Sequence, residues 1–178
     1  SHYPPIPGYQ DLRKAISDKL LRENGLTYAP SQIVISTGAK QALFNAMFAV
    51  VDHGDEVIIP SPFWATYMDI VTLCEGKSVI VRTSIDQSFK ITPEQLEKAI
   101  TPKTKLLMLN SPSNPTGAVY SAEELEKLAD IIRKHPQIKV ISDEIYELIS
   151  FSGKPVSIAS FPGMLERTII INGVSKGY

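Results

Sequence analysis

A chain of 178 residues with 43% hydrophobic and 21% charged side chains is long enough to bury one compact core and has the composition of an ordinary globular domain. Its net charge of −1, with lysines and arginines scattered among carboxylates, offers no basic stripe for nucleic acid or an anionic membrane. No apolar run is long enough to span a bilayer, and no signal peptide is expected. The lone cysteine, Cys74, has no partner for an internal disulfide, which favours a reducing, cytoplasmic setting. With no histidine near it in sequence, Cys74 reads as a packed side chain rather than a nucleophile.

No repeat or linker divides the sequence, so a single domain over residues 1–178 is expected. Asp11 to Asn24 carries Leu12, Ile16 and Leu20 at helical spacing and stops at Gly25, a natural C-terminal cap. Ile33-Val34-Ile35-Ser36 reads as a first short strand, with a helix over Lys40–Val51 behind it. A second strand at Val57–Ile59, a helix over Ala65–Leu73 and a third strand at Val79–Val81 follow. Thr92-Pro93-Glu94-Gln95 opens the next helix, with threonine as cap, proline in the first turn and Gln95 completing a capping box. Lys105–Leu109 is a fourth strand, entering the loop Asn110–Gly117. Ser121-Ala122-Glu123-Glu124 is another capping box, and Leu125, Leu128, Ala129 and Ile132 mark the buried stripe behind it. Val140–Ser142 and Thr168–Ile171 complete six strands. Short, wholly apolar strands alternating with amphipathic helices predict an α/β fold, a mostly parallel sheet flanked by helices. Right-handed crossovers place the strand-to-helix loops along one edge of that sheet, where ligands bind.

The polar motifs fall at that edge. Asp143 directly follows an apolar strand, a place for a helix cap or for a receptor of a cation, whether a metal or a protonated ring nitrogen. An apolar strand ending in Asp-Glu, with Gly76-Lys77-Ser78 upstream, suggests a nucleoside-triphosphate site. The phosphate loop needs a glycine five residues before that Gly-Lys, where Val71 stands, and a strand before the loop rather than a helix. That reading is rejected. Asn110-Ser111-Pro112-Ser113-Asn114-Pro115-Thr116-Gly117 is made rigid by two prolines and holds the amide of Asn114 at the edge. Ser36-Thr37-Gly38-Ala39-Lys40 presents small residues, and so bare backbone N–H groups, at a helix N-terminus that suits an anion. Lys176, in Asn172-Gly173-Val174-Ser175-Lys176, follows the last strand; it is either a solvated lysine or an amine able to form a Schiff base with pyridoxal phosphate.

Asn-Pro-Thr-Gly at 114–117, Ser-Asp-Glu-Ile-Tyr at 142–146 and Ser-Lys at 175–176 stand in the order and approximate spacing of class I/II, fold-type I aminotransferases. Tyr3-Pro4-Pro5-Ile6-Pro7-Gly8 with Leu12-Arg13, Gly38-Ala39-Lys40-Gln41-Ala42-Leu43 and Ser61-Pro62-Phe63-Trp64 extend the likeness over essentially the whole chain, which most resembles the bacterial aspartate aminotransferase branch. The resemblance implies a pyridoxal 5'-phosphate-binding large domain and a reaction between an acidic amino acid and a 2-oxo acid, in a parent expected to be a homodimer, with no metal. It implies that Lys176 attaches the cofactor and moves the α-proton, and that Asp143 pairs with the pyridine nitrogen. Tyr146 and Asn114 would share the phenolic oxygen, with Asn114 also near the substrate carboxylate. Trp64 would stack on the ring beside the substrate, and the backbone of Gly38 and Ala39 would hold the phosphate. Tyr3 would reach the neighbouring subunit's phosphate, and Lys40 would read the substrate's distal carboxylate.

The residue three before Lys176, serine in some family members, is Gly173. The first residue is not methionine and Ser175–Tyr178 closes no element, so both ends are expected to be cut, without the N-terminal arm, the part after the lysine, or the small domain. None of Arg13, Arg22, Arg82, Arg133 and Arg167 matches the family's clamp on the substrate α-carboxylate, so the chain alone is expected to be a poor catalyst. The family's antiparallel strand between the first and sixth strands would also be missing, leaving three expected outcomes: direct closure, occupation by another chain, or a disordered or displaced first strand. Two other readings remain: a lyase or cyclising synthase of the same fold, and an aminotransferase-like sensor domain of a transcription regulator.

Overall fold

The computed structural model describes residues 3–151 and 153–178. Its centre is a sheet of five strands: β1 (Glu56–Ser61), β2 (Lys77–Arg82), β3 (Thr104–Asn110), β4 (Lys139–Asp143) and β5 (Thr168–Ile171). They lie in the order β2-β1-β3-β4-β5, every pairing parallel.

The strands are apolar in both phases because both faces are covered. On one face Val57, Ile59, Leu106, Met108 and Ile141 pack against α2 (Ala39–Val50) and α3 (Thr66–Leu73), through Leu43, Met47, Tyr67 and Val71. On the other, Ile58, Leu107, Leu109 and Val140 pack against α4 (Pro93–Ala99) and α5 (Ala122–Arg133), through Leu96, Leu125, Leu128 and Ile132. Each fully buried leucine or isoleucine here contributes roughly 1.5–3 kcal/mol. Both expected capping boxes form. Thr92 Oγ1 accepts from Gln95 N–H at 3.3 Å while Gln95 Oε1 accepts from Thr92 N–H at 3.0 Å, and Ser121 and Glu124 do the same at 3.2 and 2.7 Å.

The N-terminal quarter differs from the expectation. α1 (Gln10–Lys19) continues as a widened turn over Leu20–Asn24 and ends at Gly25 in the left-handed region. Ile33–Ser36, expected as a strand, is not one, so the sheet has five strands rather than six. Its backbone is engaged elsewhere: Ile33 N–H donates to Pro30 O and Ile35 N–H to Pro7 O at 3.0 Å. The apolar run marked burial, since Ile33 packs with Leu20 and Leu26 and Ile35 and Ile170 lie against them, but burial alone does not supply a ladder partner. Direct closure of Ile33–Ser36 onto β5 is not seen. Gly8 permits the observed arrangement: its φ is +97°, and a methyl there would meet Ile35 Cγ1 at 2.3 Å.

Candidate active site

The chain leaves β1 toward β2 and then returns past β1 to β3, so the connections diverge between β1 and β3, and ligand crevices form outside the carboxyl ends of strands at such a point. The loop after β1 carries Pro62–Ala65 and the loop after β3 carries Ser111–Ala118. Between them lies a small cavity of about 20 Å³, lined in part by Phe63, Tyr67, Met108, Asn110 and Asn114.

Asp143 ends β4 beside this crevice and is only 3% exposed. No helix follows it: residues 145–148 form turns, so it is not a helix cap. Its Oδ2 accepts from the Tyr67 hydroxyl at 2.6 Å and its Oδ1 from Ile145 N–H at 3.3 Å. Among the described residues no cation pairs with it. Burial therefore raises its carboxyl above the usual range, against the opposing pull of the Tyr67 and Ile145 hydrogen bonds. The same burial, with Asp143 alongside, raises the Tyr67 phenol. A buried carboxylate without a counter-charge is costly and suits a ligand bringing a protonated nitrogen. Tyr67 was not singled out in the sequence. Its only signal is its place three residues after Trp64, just inside the helix expected from Ala65.

Asn114 stands in the loop after β3. Its N–H donates to Asn110 Oδ1 at 2.7 Å, while its side-chain amide bonds to none of the described residues. Asn110, opposite Asp143 in the β3–β4 register, also donates from Nδ2 to Asp143 O at 2.9 Å.

Gly38 precedes α2 with φ +87°, a backbone state open to glycine. The first intrahelical bond runs from Ala42 N–H to Gly38 O, so the N–H groups of Ala39, Lys40 and Gln41 point out of the helix, where anions bind. Gln41 Oε1 fixes the approach by accepting from Thr37 N–H at 2.5 Å. Lys40 Nζ lies 5.0 Å from the centre of the Trp64 ring, and Trp64 meets Tyr67 edge-on at 5.6 Å and 86°. Lys40, Trp64, Tyr67 and Asp143 thus form one connected row.

β5 sets Ile171 against Asp143, and Lys176 follows five residues later in an exposed turn. That turn packs against the one carrying Tyr146: a methyl on Gly177 would fall 2.5 Å from Leu148 Cδ1, and one on Gly173 would fall 3.2 Å from Ile145 Cδ1. Tyr3 is wholly exposed and forms no hydrogen bond with the others. Four of the arginines are engaged structurally: Arg13 with Gln10 and Pro30 O, Arg22 with Glu23, Arg133 with Asp130 and Pro162 O, Arg167 with Ile132 O and His135 O.

The five-stranded parallel sheet with helices on both faces is an open α/β architecture. The sequence profile described as "Aminotransferase class I and II" matches residues 1–178, and the chain belongs to that family. It is 49% identical over 178 residues to an aspartate/prephenate aminotransferase of Nitrosomonas europaea, covering 99% of this chain and 45% of that protein. An aspartate aminotransferase of Rhizobium meliloti is 48% identical, with 99% of this chain and 43% of that protein covered. The crystal structure of the aspartate aminotransferase from Rhizobium meliloti superposes with a TM-score of 0.97 at 47% identity, over 100% of this chain and 45% of that one. The chain thus spans less than half the length of the curated relatives it matches.

Proposed function

We propose that the full polypeptide carrying this chain is a pyridoxal-phosphate-dependent aminotransferase that exchanges amino groups between an acidic amino acid and a 2-oxo acid. The observation that carries the proposal is Asp143, a buried carboxylate that pairs with no cation among the described residues and whose following turn packs against the one carrying Lys176. The donor set suits the cofactor end to end: free N–H groups at Ala39–Gln41 for its phosphate, Gly38 N–H being taken by Ser36 O, the Trp64 face for its ring, and Asp143 for its ring nitrogen. When bound, pyridoxal phosphate supplies an electron sink for the pair left by the substrate α-carbon.

The chain's own groups perform the rest. Asp143 keeps the ring nitrogen protonated, held in place by the Tyr67 hydroxyl. Tyr146 and Asn114 donate to the phenolic oxygen, and Asn114 orients the substrate carboxylate. Lys176 Nζ would hold the cofactor and, as a free amine, would take the substrate α-proton and return it. Lys40, an ammonium on the Trp64 face, attracts the distal carboxylate of an acidic substrate as a point charge. The names of the relatives, aspartate and aspartate/prephenate aminotransferases, support that substrate class, as does the position of Lys40.

Reduction of the cofactor-loaded polypeptide with borohydride, followed by peptide mapping, tests the proposal. The label is expected on Lys176. A label on Lys40, or none, overturns it.

A further inference from the structure

We propose that Asn110 is a positioning residue, a single amide that locks the Asn114 loop and the Asp143 strand into one register. The proposal rests on the cofactor reading above, because it matters only if Asn114 and Asp143 serve the same ligand.

The hydrogen-bond chemistry fixes the orientation of the Asn110 amide. A backbone N–H meets only the amide oxygen, and a backbone carbonyl meets only the amide NH2. Asn110 Oδ1 takes the Asn114 N–H at 2.7 Å, and Asn110 Nδ2 gives to Asp143 O at 2.9 Å. No other side chain of this length both accepts and donates in that way: aspartate has no donor, and alanine has neither. The remaining hydrogen bonds of the loop are internal or point away from β4. Gly117 N–H bonds Ser113 O, Ser113 N–H bonds Ala118 O, and Ser111 Oγ accepts from Tyr120 N–H. Toward β4 the loop otherwise has only the ladder bond of Ser111 N–H to Asp143 O, a long one at 3.3 Å.

Asp143 O belongs to the residue whose carboxylate accepts from Tyr67, a residue lining the crevice, and Asn114 N to a residue that lines it as well. One side chain therefore sets the distance between a group at the ring nitrogen and a group at the phenolic oxygen. Errors of about an ångström in such placement are enough to weaken a site. Neither bonded group of Asn110 is aimed at a ligand, so its effect passes entirely through its two neighbours.

The test uses the full polypeptide with and without pyridoxal phosphate, comparing Asn110→Asp, Asn110→Ala and, as a control, Ser111→Ala. Asn110→Asp keeps the acceptor for Asn114 and loses the donor to Asp143; Ser111→Ala removes a loop bond that touches neither group. Three quantities are read: the cofactor dissociation constant, the pH midpoint of the bound cofactor's absorbance, and the melting temperature of the cofactor-free protein. Asn110→Asp is expected to weaken cofactor binding about tenfold and to move the midpoint by about one pH unit, the scale of one hydrogen bond to a charged network. Asn110→Ala should exceed both changes, and Ser111→Ala should lower only the melting temperature. If the Asn110 variants merely melt earlier, with dissociation constant and midpoint unmoved, the positioning role is overturned. If Asn110→Ala does not fold, Asn110→Asp decides alone, since it retains the Asn114 bond. Absence of cofactor absorbance in the unmodified protein overturns the functional reading itself, and this proposal with it.

Discussion

Two neighbouring carboxylates, Asp143 at the end of β4 and Glu144 just past it, are treated differently by their surroundings. Asp143 meets Tyr67 of α3, while Glu144 meets Ser142 and Ser157; they are 3% and 6% exposed. Glu144 Oε1 accepts from Ser142 Oγ at 2.8 Å and Ser157 Oγ at 2.6 Å, two donors from the protein itself. Asp143 receives one phenol and one long backbone bond. Burial pushes the Glu144 carboxyl up to about 7, against the pull of both serines, and it raises Asp143 as well. The difference lies in what each can still accept. Glu144 is satisfied within the fold and tolerates its burial as a near-neutral acid. Asp143 keeps capacity toward a crevice edged by Tyr67 and Asn114, the arrangement of a receptor.

The largest break in this comparison is Asp143→Asn. The shape and the Tyr67 bond survive, but the charge that holds a protonated nitrogen does not. Removing one partner of a buried ionic pair costs about 3–5 kcal/mol, so cofactor affinity is expected to fall about a hundred- to a thousandfold. The cofactor-free protein should move the other way. Because folding raises the Asp143 pKa, the native state binds the proton more readily than the unfolded chain, and stability falls as pH rises past the unfolded value. Asn at 143 removes that loss. Calorimetric melting at neutral pH, with and without cofactor, should show the apo protein stabilised and the cofactor's stabilisation gone.

Glu144→Gln separates the two sides next. The shift from 4.5 to about 7 means that stability falls as pH rises through that window and levels off above it. The full effect is on the order of 3 kcal/mol. Gln keeps an acceptor for both serines and has no proton to lose. The melting temperature of the variant is therefore expected to change less between pH 4.5 and 7 than that of the unmodified protein, while cofactor affinity stays the same. A fall in affinity equal to that of Asp143→Asn would erase the distinction drawn here.

This pair also marks where the sequence stops being legible. The strand Val140–Ser142, the capping boxes at Thr92 and Ser121, and the placement of Asp143 at a sheet edge all follow from local pattern, because apolar runs and short polar signatures carry their own geometry. The motifs at 114–117, 142–146 and 175–176 pointed to a family, and the family profile covers them. Distant pairing was another matter. Ile33–Ser36 had the composition of a strand, but its N–H groups found Pro30 and Pro7 instead of a neighbouring strand. Tyr67 carried no motif of its own, yet its hydroxyl crosses 76 positions of sequence to reach Asp143. Glu144 read as part of a motif, with nothing in the sequence to bring Ser157 against it.

Tyr67→Phe sharpens the crevice side with a smaller effect. The ring still packs among Leu43, Met47 and Val71, so the core is kept and only the hydroxyl is lost. A hydrogen bond to a charged group contributes about 1.5–3 kcal/mol, part of which water or the ligand restores. Cofactor affinity is expected to drop about tenfold. The Tyr67 bond opposes the rise of the Asp143 pKa, so its removal should also move the acid limb of the affinity-versus-pH curve upward. Titration of cofactor absorbance at several pH values measures both; an unshifted acid limb would leave Tyr67 as packing alone.

The smallest effect probes the back side through Lys19. Its ammonium meets Glu147, and Asn24 Nδ2 donates to the same carboxylate at 2.9 Å. Burial works against Glu147, but the bonds from Lys19 and Asn24 outweigh it and hold that carboxyl below its ordinary range. Glu147 in turn pushes Glu144 up while Lys19 pulls it down. Lys19→Met should therefore act in two separate pH windows. Glu147's stabilisation, present above the unfolded carboxylate pKa and lost as pH falls through the depressed native value, should disappear, costing about 1 kcal/mol at neutral pH. Glu144, now beside an unopposed negative charge, should titrate about half a pH unit higher, extending the fall in stability above pH 7. In the Glu144→Gln background the second change has no group to act on and should vanish, leaving only the acid-side loss. Melting curves of the two single variants and the double variant across pH resolve the two windows, and an alkaline extension that survives in the double variant would show that Lys19 acts on some group other than Glu144.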